Sequence, residues 1–199
     1  MIKRRSFLAG PLLAFGAWTL GTQPALALDE AQAKAHVEQS IADVLDVVQS
    51  NGDADSKASK LKKVMETRAA MPQIARFAAG RAWRDMSDDQ QKRYTDAFSR
   101  AVSTAYARRF QNYAGQNVEI GKMKSSGRRG IVISSVVTQA QGAPIAVDWL
   151  VTDRPGRVVI ADIVIEGVSL LITQRDEISG MLGQRGGDVD KLIEDLNAI

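Results

Sequence analysis

The chain contains no cysteine. Disulfides are excluded, so in an oxidising compartment stability has to come from the packed core, and no thiol is there to carry a lipid anchor. Histidine is nearly absent: His36 stands alone, between Ala35 and Val37 in a helical pattern. That removes metal centres built from His and Cys, and leaves a Ser-His-Asp triad nothing but a histidine in ordinary helical surroundings. No Gly-rich phosphate loop, no H-E-x-x-H and no internal repeat occurs, so the nucleotide-binding and zinc-protease signatures are missing too. Nor does any apolar run reach the roughly 20 residues needed to span a bilayer.

An excess of positive charge is also missing where it would count. The full chain has 26 Lys and Arg against 23 Asp and Glu. Lys3, Arg4 and Arg5 open it as a basic region, followed by a moderately apolar stretch from Phe7 to Leu20 and a small-x-small site at Ala25-Leu26-Ala27. Residues 1–27 therefore read as a cleaved export signal, with Leu28 as the mature N-terminus. Arg4-Arg5-Ser6-Phe7-Leu8 resembles the twin-arginine export motif, and Gly10, Gly16 and Gly21 interrupt the apolar stretch. Without the leader's three bases, acids and bases balance at 23 each, so the alkaline isoelectric point is no footprint of nucleic-acid binding. Residues 28–199 are expected to form a single domain with no permanent membrane anchor, large enough to enclose a core and a cavity.

What is present is clear periodicity. Asp29 to Gln49 carries Val37, Ile41, Val44, Leu45 and Val48 on one helical face and ends at Ser50-Asn51-Gly52. A second, half-exposed helix is expected over Asp55 to Thr67, and Pro72 suits the first turn of a third, with Ile74, Phe77 and Ala78 on one face. Ser87 and Gln90 form an S-x-x-Q capping box for the longest helix, Asp88 to Tyr113. Its ladder of Tyr94, Phe98, Val102, Tyr106 and Phe110 is flanked by Ala97, Ala101 and Ala105, a pattern that suits either a core seam or a cavity wall. From Asn117 the period changes to strands: Val118–Met123, Ile131–Gln139, Ile145–Thr152 and Val158–Ile165, separated by short turns at Ser125-Ser126-Gly127, Gln141-Gly142 and Asp153-Arg154-Pro155-Gly156. Short turns between consecutive strands imply an antiparallel meander. Two helices follow, Ser169–Leu182 and Asp188–Asn197, with Gly167 permitting a reversal and Ser169 placed as a cap. The fold class is α+β, a curled four-stranded antiparallel meander packed with about six helices around a hydrophobic cavity.

Candidate chemistry is thin. Asp162 and Glu166 lie four residues apart on one strand face, roughly 13 Å at about 3.3 Å per residue, too far for a shared proton or a glycosidase pair. Asp148 sits opposite Asp162 in one hairpin register, while a two-residue Pro155-Gly156 turn separates their faces; the sequence leaves both registers open. Arg108, Arg109, Arg128, Arg129, Arg154, Arg157 and Arg175 read mostly as solvated faces, with some able to ring a cavity mouth and meet an anionic head group.

A resemblance gives this pattern a meaning. Phe77, Gly80, Trp83 and Arg84, then Phe98, Tyr106 and Tyr113, then Asp162, Glu166, Gly167, Val168, Ser169, Leu170 and Arg175, and finally Leu192, Ile193 and Leu196 follow in order and spacing. In this the chain resembles the MlaC family of periplasmic phospholipid carriers, the toluene-tolerance family, over nearly all of residues 29–197. A relative linked to hopanoid metabolism shares the pattern. The G-R-A-W-R and E-G-V-S-L segments carry the likeness. It implies a non-enzymatic carrier in the periplasm with no cofactor, only bound lipid as cargo. Its implied partners are an inner-membrane ABC transporter complex and an outer-membrane lipoprotein complex. The expected lining of the lipid cavity is Phe77, Phe98, Val102, Tyr106, Ile133, Val147, Trp149, Ile163, Val168 and Leu171. The alternatives are a carrier of hopanoid or another apolar lipid, an enzyme using the Asp148/Asp162 region on an apolar substrate, or an interaction protein that encloses no ligand.

Overall fold

A computed structural model describes residues 28–110, 117–138, 142–154 and 156–199. The expected leader over 1–27, Tyr113 at the expected end of the long helix, Gln139, Gln141 and Pro155 lie outside the described residues. The elements run α1 (Glu30–Gln49), α2 (Ala54–Arg68), α3 (Met71–Ala79), a short 3₁₀ turn (Ala82–Arg84), α4 (Asp88–Arg109), β1 (Asn117–Ser125), β2 (Ile131–Thr138), β3 (Ile145–Arg154), β4 (Arg157–Ile165), β5 (Val168–Ser169), α5 (Leu170–Gln184) and α6 (Val189–Asn197).

Local chemistry sets the helix starts. Asp29, Asp53 and Asp188 each accept a bond from the backbone N–H three residues on, satisfying an orphan donor of the first turn. At α4 the capping box is reciprocal: Gln90 N–H donates to Ser87 Oγ at 3.2 Å and Ser87 N–H donates to Gln90 Oε1 at 3.1 Å. α3 begins with Pro72 in its first turn and stops at Gly80, whose φ of 59° is open to glycine and costly for other residues.

The strands form one open antiparallel sheet in the order β1-β2-β3-β4-β5. The expected four strands are thus corrected to five. β5 is only two residues long, pairing Val168 with Ile165 and Ser169 with Val164, which is too short for an alternating pattern to reveal. It exists because Glu166 and Gly167 both adopt positive φ, 49° and 80°, the combination a two-residue hairpin turn needs. Glu166 tolerates this because both its backbone and its side chain are tied to β3: its N–H donates to Ala146 O at 3.0 Å, and Ala146 N–H donates to its carboxylate.

Hairpin β3–β4 resolves the open register in a third way. Arg154 lies opposite Arg157 and Val151 opposite Ile160, but a bulge then shifts the count so that Trp149 faces Ile163 and Val147 faces Ile165. Asp148 is therefore opposite Val164 and Asp162 opposite Leu150. The two aspartates share a face as diagonal neighbours and are neither a directly opposed pair nor on separate faces.

Apolar packing divides into three clusters. The first joins α3, α4, α5 and α6 around Tyr94, Phe98, Ile178, Leu192 and Leu196. The second packs Ala33 and Val37 of α1 on Ile131, Ile133 and Val151 of the sheet. The third joins α1, α2 and α4 through Val47, Ala58, Leu61 and Ala107. Full burial of side chains such as Phe98 and Ile133 contributes about 1.5–3 kcal/mol each. The sheet takes its helix contacts from α1, α2 and α5, whereas α4 packs on α2, α3 and α6. Among the described residues no helix is long and apolar enough to cross a membrane.

Candidate functional site

The expected cavity residues separate by environment. Ile133, Trp149 and Ile163 form one cross-strand row, with Val147 in the next row opposite Ser135 and Ile165. Ile133 and Val147 are buried, Trp149 and Ile163 half-buried. Trp149 is fixed by its indole N–H, which donates to Ser135 Oγ at 2.8 Å, while the buried Ser135 hydroxyl donates to Val147 O at 3.1 Å. The Ser135 hydroxyl and the Trp149 indole on this face, which α1 covers, are thereby paired.

On α4, Val102 and Tyr106 are half-buried, one packed against the first cluster and the other against the third. Arg109 lies over the Tyr106 ring at 5.0 Å. Phe98 is different: it is fully buried among the helices, 5.9 Å from the Tyr94 ring. Leu171, in the first turn of α5, is half-buried. Phe77 is 37% exposed and Val168 58%. The structure thus sets the sheet residues in two adjacent cross-strand rows and parts Val102 from Tyr106, the first on the α3–α6 cluster and the second on the α1–α2–α4 cluster. It places Phe98 in a core seam and Phe77 and Val168 on the surface.

Asp162 is fully engaged as a structural group. Its Oδ1 accepts from the backbone N–H groups of Ile163 at 2.8 Å and Leu171 at 3.0 Å, and its Oδ2 accepts from Ser169 Oγ at 2.6 Å. Ser169 Oγ in turn accepts from Ile172 N–H at 3.1 Å. The carboxylate and the hydroxyl together close the N-terminus of α5, where negative charge is favoured by the helix dipole. This clasp ties the strand to the following helix and engages both carboxylate oxygens in structural bonds. The sequence signal for it was the Asp seven residues ahead of the capping Ser, visible only once β4 folds back on β5.

Elsewhere His36 has a backbone partner, whereas the buried Tyr94 hydroxyl has none among the described residues. His36 Nε2 lies 2.8 Å from Arg68 O, and burial pulls its pKa below the ordinary histidine value, outweighing the raising effect of that bond; the nearby Arg68 and Arg157 charges also lower it. Burial raises the Tyr94 phenol well above its ordinary range. No group of three or more metal-ligating side chains occurs among the described residues. Three open surface clefts are polar: one of about 680 Å³ is lined by His36, Lys63, Arg68 and Arg157, and the others by charged faces of α4 and its neighbours. None of the ten expected residues lines them.

Two features were not foretold from sequence: a part for α1 in the site, and the contact between Arg175 and Phe77, two residues singled out separately. Ile41, Val44 and Leu45 of α1 are half-buried, Ile41 against the sheet cluster and Val44 against the cluster shared with α2 and α4; their helical spacing was the available signal. Arg175 stacks on Phe77, with its guanidinium carbon 4.9 Å from the ring centre, and nothing in the spacing of the two residues foretells that.

The family model described as MlaC protein matches residues 35–198. The chain is 20% identical over 142 residues to the toluene tolerance protein ttg2D of Pseudomonas putida, a match covering 71% of this chain and 59% of that protein. It therefore spans about three-fifths of the length of that curated relative. Among solved structures, it is similar to the phospholipid-binding protein from Ralstonia solanacearum in complex with a phospholipid. The TM-score is 0.69 at 26% sequence identity, over 83% of this chain and 95% of that one.

Proposed function

The chain belongs to the MlaC family, and on that premise we propose that it is a periplasmic lipid carrier. It holds phospholipid acyl chains in an apolar space between the sheet and the helices. It moves them between an inner-membrane ABC transporter complex and an outer-membrane lipoprotein complex. It is not an enzyme, and lipid is its cargo. Residues 1–27 serve as its export signal, of the twin-arginine kind, and 28–199 as its lipid-binding domain.

The observation that carries this reading is the division of the core. Three separate clusters carry half-buried apolar side chains at their margins, Val102 on the first, Ile41 and Trp149 on the second, Val44 and Tyr106 on the third, and Ile163 of the sheet and Leu171 of α5 are half-buried outside all three. A protein of this size ordinarily closes such surface into one core. An acyl chain supplies the missing volume. Ile133 and Val147 form the floor of that space, Phe98 backs its helical wall, and Phe77 and Val168 stand at its mouth. The likeness to a solved phospholipid complex supports the same assignment. Exposing an acyl chain of about 15 methylenes to water costs roughly 12 kcal/mol, at about 0.8 kcal/mol per CH₂. Carriage in a closed apolar space removes most of that barrier, and release requires a partner that opens or competes for the space.

Native mass spectrometry of gently purified protein, with extraction and identification of the bound lipid, tests the proposal. Near-stoichiometric phospholipid is the expected result. A lipid-free protein with an unaltered mass after mild extraction would refute it, and a stoichiometric hopanoid or other phosphate-free lipid would reassign the cargo.

A further inference from the structure

α5 turns one stripe of side chains inward: Leu171 is half-buried, Ile178 is buried and Leu182 packs on the helical cluster. Arg175 lies at the edge of this stripe, four residues after Leu171 and three before Ile178, with its own side chain exposed. A guanidinium therefore borders an otherwise apolar line. It is held in place: its carbon lies 4.9 Å from the centre of the Phe77 ring. Its Nη2 is the atom nearest to where a Cβ on Gly80 would stand, at 3.6 Å. Yet its donors are unspent. Arg175 takes part in none of the ion pairs or side-chain hydrogen bonds found among the described residues. Of the two acids that follow it on α5, Glu177 accepts from Gln174 at 2.7 Å.

Most exposed arginines are mobile and solvated, and such a residue carries no message. A guanidinium ordered by an aromatic face, with its planar fork of donors free, is a pre-organised receptor for phosphate or carboxylate. Its surroundings select among anions. Phe77, Val168 and Ile172 are exposed at 37%, 58% and 56%. Phe77 stacks on it and Ile172 lies one helical turn before it, so a ligand met here finds apolar surface next to the charge. The nearby helix N-terminus is not the receptor, because Asp162 and Ser169 already take the Leu171 and Ile172 N–H groups of its first turn.

We propose that Arg175, stacked on Phe77, binds the phosphate of the cargo lipid's head group at the mouth of the apolar space and so makes the protein prefer phosphate-bearing lipids over neutral ones. The inference rests on the carrier reading.

The test is a competition on delipidated full-length protein between phosphatidylglycerol and a diacylglycerol of the same acyl chains, read by native mass spectrometry. The wild type should favour the phospholipid by at least about tenfold, the effect of one charge-assisted hydrogen bond. Arg175→Gln should take both lipids about equally, Arg175→Lys should keep part of the preference, and Phe77→Leu should weaken it by loosening the guanidinium. Circular dichroism and thermal melting of each variant establish that the fold is retained, as the exposure of both side chains implies. An undiminished preference in folded Arg175→Gln overturns the proposal. So does a wild type that binds both lipids without preference, which leaves the carrier reading standing. A wild type that binds neither lipid overturns both. Titration with inorganic phosphate alone separates the two sources of the anion: no measurable binding supports a lipid-borne phosphate, and tight binding lost in Arg175→Gln would make this a free-anion site instead.

Discussion

Replacing Asp162 by alanine should cost the protein about 3 kcal/mol. The figure follows from what the carboxylate does. It accepts two backbone N–H groups and one hydroxyl. Hydrogen bonds to a charged group are worth about 1.5–3 kcal/mol each, but they share one desolvated carboxylate and do not add fully. Loss of a helix cap alone costs about 0.5–2 kcal/mol. The side chain is half-buried, so water recovers part of the loss, and about 3 kcal/mol is the central expectation. At about 2–4 °C per kcal/mol for a domain of this size, the melting temperature should fall by about 6–12 °C. Asp162→Asn keeps one oxygen for the Leu171 N–H and should lose only about 1 kcal/mol. Urea unfolding of both variants measures this directly, with the midpoint shifting and the slope unchanged if only the native contact is lost. An alanine variant within about 0.5 kcal/mol of wild type would refute the clasp. So would an asparagine variant as damaged as the alanine one, since the argument depends on which acceptors survive.

Ile133→Ala, at a fully buried site between α1 and the sheet, should destabilise by about 2–5 kcal/mol in the same unfolding assay. Ile163→Trp, half-buried in the same cross-strand row, should leave a folded protein with markedly less co-purifying lipid by extraction; unchanged lipid content would remove that residue from the proposed lining. His36 has a lowered pKa in the fold because it is buried, so the neutral form is favoured on folding. Its contribution is full above the unfolded value near 6.5 and is lost as the pH falls from there through the lowered folded value. Stability measured against pH should decline on acidification below about 6.5, and the slope should flatten in His36→Gln. The Asp43 carboxyl, held below the ordinary range chiefly by its hydrogen bond from Arg68, acts further down: its contribution is present above the unfolded carboxylate value and disappears as the pH falls through the lowered folded one. Arg68→Gln should therefore reduce the loss of stability seen in that acid range.

The helices were legible because their apolar residues recur at helical spacing and their caps are written in local sequence. Ser87 and Gln90 mark the start of α4, and Pro72 and Gly80 bracket α3. The strands were legible from alternation and from the turns between them. What stayed hidden depends on contacts distant in sequence. The bulge between Leu150 and Val151 leaves no local mark, yet it decides where Asp148 and Asp162 sit. β5 is too short for a period, and its turn uses a Glu at positive φ that composition does not flag. For the candidate site, the half-buried faces of α4 and the sheet were anticipated, but whether a large apolar residue fills a seam or borders a space depends on its neighbours across the fold. Phe98 and Val102 are four residues apart on one helix and meet the same cluster, yet Phe98 is fully buried in it and Val102 is left half-buried at its margin.

The short pairing beyond β4 bears on how the molecules behave at high concentration. Along the outer side of β4, Ala70 N–H donates to Ile160 O, Ile163 N–H is turned onto the Asp162 carboxylate, and β5 takes up Val164 and Ile165. That border of the sheet is occupied over most of its length. β1 alone presents a long open border, and its irregular step between Ile120 and Met123, with Lys122 and Lys124 nearby, makes it a poor template. A sheet with one closed side can join another copy through its strands only once. Strand-to-strand association through this sheet, among the described residues, therefore ends at a pair and does not propagate into a fibre.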